Sequence, residues 1–99
     1  MIRGTTPTFT FNLPFDTSVI KKAYITIRSR GIEVEKSKEN CTLNGNTIST
    51  TLTQEETLAL PKSLKAEVQL RVLTNDNKAL ATEIYEVEVA EILKEGVIK

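Results

Sequence analysis

The chain has no histidine, no tryptophan and only one cysteine in 99 residues. Without histidine, a Ser-His-Asp triad, a Cys-His dyad and a His-built metal site are all ruled out. The lone Cys41 forms no intrachain disulfide, and a zinc site would need further ligands around it. With no histidine to act as base, its expected state is a buried apolar thiol, not a nucleophile.

Other absences narrow the chemistry further. The four glycines, at positions 4, 31, 45 and 96, are scattered, so neither a Gly-x-Gly-x-x-Gly turn nor a phosphate-binding loop is present. Glu55 and Glu56 are adjacent and should point apart, which does not suit paired acid/base work. The remaining glutamates fall mainly on outward strand positions, where no concave site would gather them. Asp76, flanked by Asn75 and Asn77, lacks the spaced carboxylates of a calcium loop. No enzymatic activity, cofactor or metal is expected.

Charge excludes as well. Thirteen basic residues balance thirteen acidic ones, whereas a nucleic-acid partner would call for a basic surplus. Lys21-Lys22 and Arg28/Arg30 read as a solvated strand end and hairpin. No apolar run approaches the ~18 residues of a membrane span, and the N-terminus lacks the apolar core of a signal peptide. Synthesis in the cytoplasm is expected, with any extracellular site reached by another route.

What the chain does have is alternation of apolar and polar residues, the period of half-buried strands. Phe9, Phe11 and Leu13 alternate with Thr8, Thr10 and Asn12, between Pro7 and Pro14. A second strand near Lys22–Ser29 places Ala23, Ile25 and Ile27 on one face. Arg30-Gly31 then turns into a third at Ile32–Ser37. A two-residue loop pairs Ile27 with Val34 and Arg28 with Glu33, while a bulged turn is the alternative because arginine disfavours positive φ. Asn44-Gly45 predicts a type I′ hairpin between Asn40–Leu43 and Thr47–Leu52, with Cys41 opposite Ile48.

Thr53 and Glu56 have the spacing of a capping box, and Pro61 limits the helix to about one turn. A long strand, Lys65–Thr74, directs Ala66, Val68, Leu70 and Val72 inward. Thr74–Lys78 is turn chemistry. The last strand, Ala81–Val89, carries Tyr85, Val87 and Val89 on one face, and Ile84 breaks its alternation, either by a bulge near Thr82–Ile84 or by burial on both faces. The tail beyond it holds four aliphatics, Ile92, Leu93, Val97 and Ile98. These either cover a sheet edge or form a contact surface for a partner or a second copy.

About seven short strands with one helical turn predict a single all-β domain over residues 1–99, an immunoglobulin-like sandwich, with a small barrel as the competing topology. Three stretches together carry a resemblance: Arg3–Phe11 with Leu13-Pro14-Phe15, Leu52–Leu58, and Val68–Thr74. The chain resembles small immunoglobulin-like proteins encoded among the tail and baseplate genes of phages and prophages of Gram-positive bacteria. More loosely, it is similar to the immunoglobulin-like N-terminal domain of baseplate upper proteins. The resemblance covers nearly the whole chain, through strand and corner motifs. It implies a virion-associated structural or adaptor protein acting through contacts with other tail or baseplate proteins, or with its own copies. The alternative is a module that recognises bacterial surface carbohydrate. That alternative calls for exposed aromatic rings, and here the two tyrosines and three phenylalanines are expected mostly on core strands.

Overall fold

The computed structural model describes residues 1–61 and 64–99. Two antiparallel sheets face each other across one core. The smaller sheet has the order β1 (Thr8–Asn12), β5 (Thr47–Thr51), β4 (Thr42–Asn44). The larger has β3 (Ile32–Ser37), β2 (Ile20–Ser29), β6 (Lys65–Thr74), and then β7 (Ala79–Ala81) and β8 (Tyr85–Glu88) along one edge. The barrel is therefore excluded in favour of a sandwich.

Alternation determines which side chains meet between the sheets. Ala23, Ile25 and Ile27 of β2 and Ala66, Val68, Leu70 and Val72 of β6 are buried against Phe11 and Ile48 of the smaller sheet. Leu13, Leu52, Leu60 and Val89 close the ends. Burial of such aliphatic side chains is worth ~1.5–3 kcal/mol each and is the main force holding the sheets together.

The first hairpin matches the two-residue alternative. Ile27 pairs with Val34 and Arg28 with Glu33, while Arg30 and Gly31 both take positive φ, at 48° and 80°. Arginine accepts the strained conformation because the alternating register on both sides permits no extra residue.

The second hairpin differs from expectation. Asn44 pairs with Thr47, so the loop is Gly45-Asn46 and not Asn44-Gly45. Gly45 has φ +59° and Asn46 an ordinary negative φ, the type II′ order with glycine first. Asn46 is held from β1: its carbonyl accepts from Leu13 N–H at 2.7 Å and its side-chain amide donates to Leu13 O at 3.2 Å. The register consequently places Leu43, not Cys41, opposite Ile48.

Thr53 caps α1 (Gln54–Leu58) through the full reciprocal box. Its hydroxyl accepts from Glu56 N–H at 3.1 Å, and Glu56 accepts from Thr53 N–H at 2.8 Å. Lys36 at the end of β3 reaches Glu56 at 2.8 Å and links the larger sheet to this helix.

The expected last strand is divided. β7 pairs with the upper half of β6 and β8 with the lower half, and the register shifts by one residue between them. That shift is the bulge at Thr82–Ile84. Ile84 is half exposed, which rules out burial on both faces.

Candidate functional site

The tail leaves the sandwich by a short path that ties both ends of the chain together. Val89 is buried, and its N–H donates to Leu64 O at 2.9 Å. Ile2 and Ala90 then form a parallel bridge, with Ala90 N–H donating to Met1 O at 2.7 Å and Arg3 N–H to Ala90 O at 3.1 Å. From Glu91 onward no strand forms.

The four aliphatic residues of the tail meet different fates. Ile92 is half-buried over Gly4: a Cβ at Gly4 would lie 3.0 Å from Ile92 Cδ1 and 3.4 Å from Leu58 Cδ2. Glycine is required there for both this close approach and its φ of +74°. Leu93 stands entirely in solvent, Ile98 is 68% exposed and Val97 38% exposed.

This exposed segment is nevertheless anchored. Ile98 N–H donates to Gln54 Oε1 at 2.7 Å, and Gln54 Nε2 donates to Ile98 O at 3.2 Å. Arg3 lies at the C-terminal end of α1, where its guanidinium donates to Leu58 O at 2.8 Å and Leu60 O at 3.0 Å, satisfying carbonyls that the helix leaves open. The same side chain contacts Glu95 at 3.3 Å. The tail thus presents Leu93 and Ile98 from a held backbone.

A second surface lies on the open flank between the sheets, beside β1 and β7. A cleft of about 260 Å³ opens there, lined by Leu13, Phe15, Leu70, Val72 and Leu80. Tyr85 borders the same flank, its ring 6.2 Å from that of Phe11 and more than half exposed.

The third is the outer face of the larger sheet. Tyr24 faces outward at 39% exposure, across from Arg71, and a shallow depression beside it is lined by Lys22, Arg71 and Leu73. Both tyrosines are exposed although each lies on a strand that also carries core side chains, so the expected place on core strands does not bury them. For Tyr24 the signal was present in the sequence, since it has the opposite parity to Ala23, Ile25 and Ile27. Tyr85 has inward parity but belongs to an edge strand that the opposite sheet covers only in part, through Phe11.

Cys41, Asp16 and Asp76 each hydrogen-bond to groups close by in the chain. Cys41 is partly buried, and its thiol donates to Ser37 O at 3.3 Å. Burial pushes the thiol above its usual range, and the Thr50 hydrogen bond and Lys36 charge only partly oppose this. Asp16 and Asp76 are held below the usual carboxylate range, Asp16 by the Ser18 N–H and Asp76 by the Thr74 hydroxyl. Each closes a local turn. Among the described residues, no three Cys, Asp or Glu side chains form a group that could hold a metal ion, and no helix is long and apolar enough to cross a membrane.

In comparisons with known proteins, no family model matches the chain, and no curated protein or solved structure matches it significantly.

Proposed function

We propose that the chain is a non-enzymatic structural or adaptor protein of a phage or prophage virion, acting by protein–protein contacts in the tail or baseplate. The observation that carries this reading is the anchored tail. Leu93 is fully exposed on a backbone pinned through Gln54–Ile98 and Arg3–Glu95. An apolar side chain held out in this way is suited to seating in a partner, because its ordering is completed before binding.

Strand connectivity supports the immunoglobulin-like part of the reading. The orders β1-β5-β4 and β3-β2-β6-β7/β8 correspond to B-E-D and C′-C-F-G of that architecture. The sequence resemblance supplies the virion context. Leu93, Val97 and Ile98 are the contact residues, while Ile92 packs over Gly4 and ties the start of the tail to the domain.

The test is co-purification with particles released from the cell that encodes the chain. Leu93→Asp alters no internal contact, so it should leave the melting curve unchanged while abolishing incorporation. Normal incorporation of this variant would remove the tail from the interface.

Tyr24 favours a second reading, recognition of surface carbohydrate. Its exposed ring beside Lys22 and Arg71 offers a stacking face next to polar donors. Titration with purified cell-wall polysaccharide discriminates between the readings: binding lost in Tyr24→Ala supports recognition, and no binding by the wild type removes it.

A further inference from the structure

We infer that the free edge of β1 pairs antiparallel with β1 of a second copy, forming a two-fold dimer with one continuous sheet of order β4-β5-β1-β1-β5-β4. This deepens the assembly reading and rests on it for its purpose.

The backbone of β1 leaves one edge open. Leu13 N–H donates to Asn46 O and Leu52 N–H to Pro7 O, which fixes the residues that turn their polar groups towards β5. They are Pro7, Phe9, Phe11 and Leu13, by the alternation of an antiparallel ladder. Thr8, Thr10 and Asn12 therefore direct their N–H and C=O groups away from the sheet, at an edge on which no described strand pairs. Pro7 and Pro14 bracket the segment, so pairing is confined to the residues between them. With Thr10 on the axis, Thr10 pairs with its own copy and Thr8 with Asn12. All three outward-facing residues then make their ladder bonds at once.

Charge selects both this edge and a second copy as its occupant. A two-fold axis places every residue opposite the same set of residues, so a charged edge meets its own sign. The other edges carry the usual protection against such pairing. β3 presents Glu33 and Glu35, β8 presents Glu86 and Glu88 and is partly covered by Met1–Arg3, and β4 and β7 have only three residues each. From Gly4 to Phe15 there is no charged residue at all, so β1 meets its copy without repulsion. Thr10 facing Thr10 is also a favourable cross-strand pair.

Exposed apolar side chains lie on the same flank. Leu80 and Tyr85 are 45% and 54% exposed along the neighbouring edge, and the cleft lined by Leu13 and Phe15 opens on the same flank. A second copy on this flank removes that surface from water.

Sedimentation equilibrium of the full chain tests the pairing, with Thr10→Lys, Thr10→Glu and their equimolar mixture. Thr10 is exposed, so both variants should keep the wild-type circular dichroism and melting curve. The wild type should be a dimer at sub-millimolar concentration, each variant alone a monomer, and the mixture a dimer again, because lysine then faces glutamate across the axis. A monomeric wild type, or dimers indifferent to both substitutions, would overturn the inference. A monomer that still enters particles overturns β1 pairing and spares the assembly reading. A charge-rescued dimer that never enters particles establishes the pairing and defeats that reading.

Discussion

Thr82 makes with Leu70 both hydrogen bonds that an uninterrupted edge strand would have made through its backbone alone. Its N–H donates to Leu70 O at 2.9 Å, and its hydroxyl accepts from Leu70 N–H at 3.1 Å. The side chain thus replaces a carbonyl that the bulge has turned away, and Gln69 takes up that carbonyl, donating to Thr82 O at 3.0 Å. Thr82→Val removes the acceptor while keeping the shape. It should cost about 1–3 kcal/mol in a denaturant titration, because Leu70 N–H is left buried without a partner. Thr82→Ser should recover most of the loss. Equal stability of all three would mean that the hydroxyl does not carry this bond.

Ile25 is fully buried and pairs with Leu70 at the centre of the larger sheet. Ile25→Ala should destabilise by about 2–5 kcal/mol, the range for an aliphatic side chain truncated to a cavity in a closed core. A loss below about 1 kcal/mol would show that the sheets are not tightly packed there.

Gly45 has open space where a Cβ would project, so only its φ of +59° restricts substitution. Gly45→Val should destabilise more than Gly45→Asn, because asparagine tolerates positive φ and a β-branched side chain does not. Matching melting temperatures for the two would contradict the glycine-first turn.

Glu56 predicts an acid limb in stability. Burial raises its pKa, but the hydrogen bonds from Lys36 and Thr53 N–H, with the Lys36 charge, outweigh burial and hold it below the usual range. A carboxyl whose pKa is depressed on folding stabilises the protein above its unfolded value, about 4.3, and loses that contribution as pH falls through the folded value. The wild type should therefore lose more stability than Glu56→Gln between neutral pH and pH values below the usual glutamate range. Parallel curves for the two would show that the Lys36–Glu56 pair contributes nothing.

Strand positions were legible because alternation is a local property. Val68, Leu70 and Val72 declare their face within a few residues, as do Ile25 and Ile27, and the Thr53–Glu56 cap lies within one turn. The turn at Gly45 was misplaced because Leu13, distant in sequence, fixes Asn46 through a contact that no local pattern records. Tyr85 shows the same limit, since inward parity means burial only where the opposite sheet reaches. The candidate surfaces were legible in part. The tail's surplus of aliphatics is visible in the sequence, but the anchoring of Ile98 by Gln54 is not. The open edge of β1 depends on which strands become neighbours, and only the assembled sheet order reveals it.

Quantitative mass spectrometry of purified virions from the encoding cell is the sharpest check on the proposed place of this chain in a particle. The chain should be present at a fixed ratio to the other tail and baseplate proteins, constant across independent preparations and resistant to washing in high salt. Its absence from intact particles, or a ratio that falls towards zero with each wash, would rule that place out.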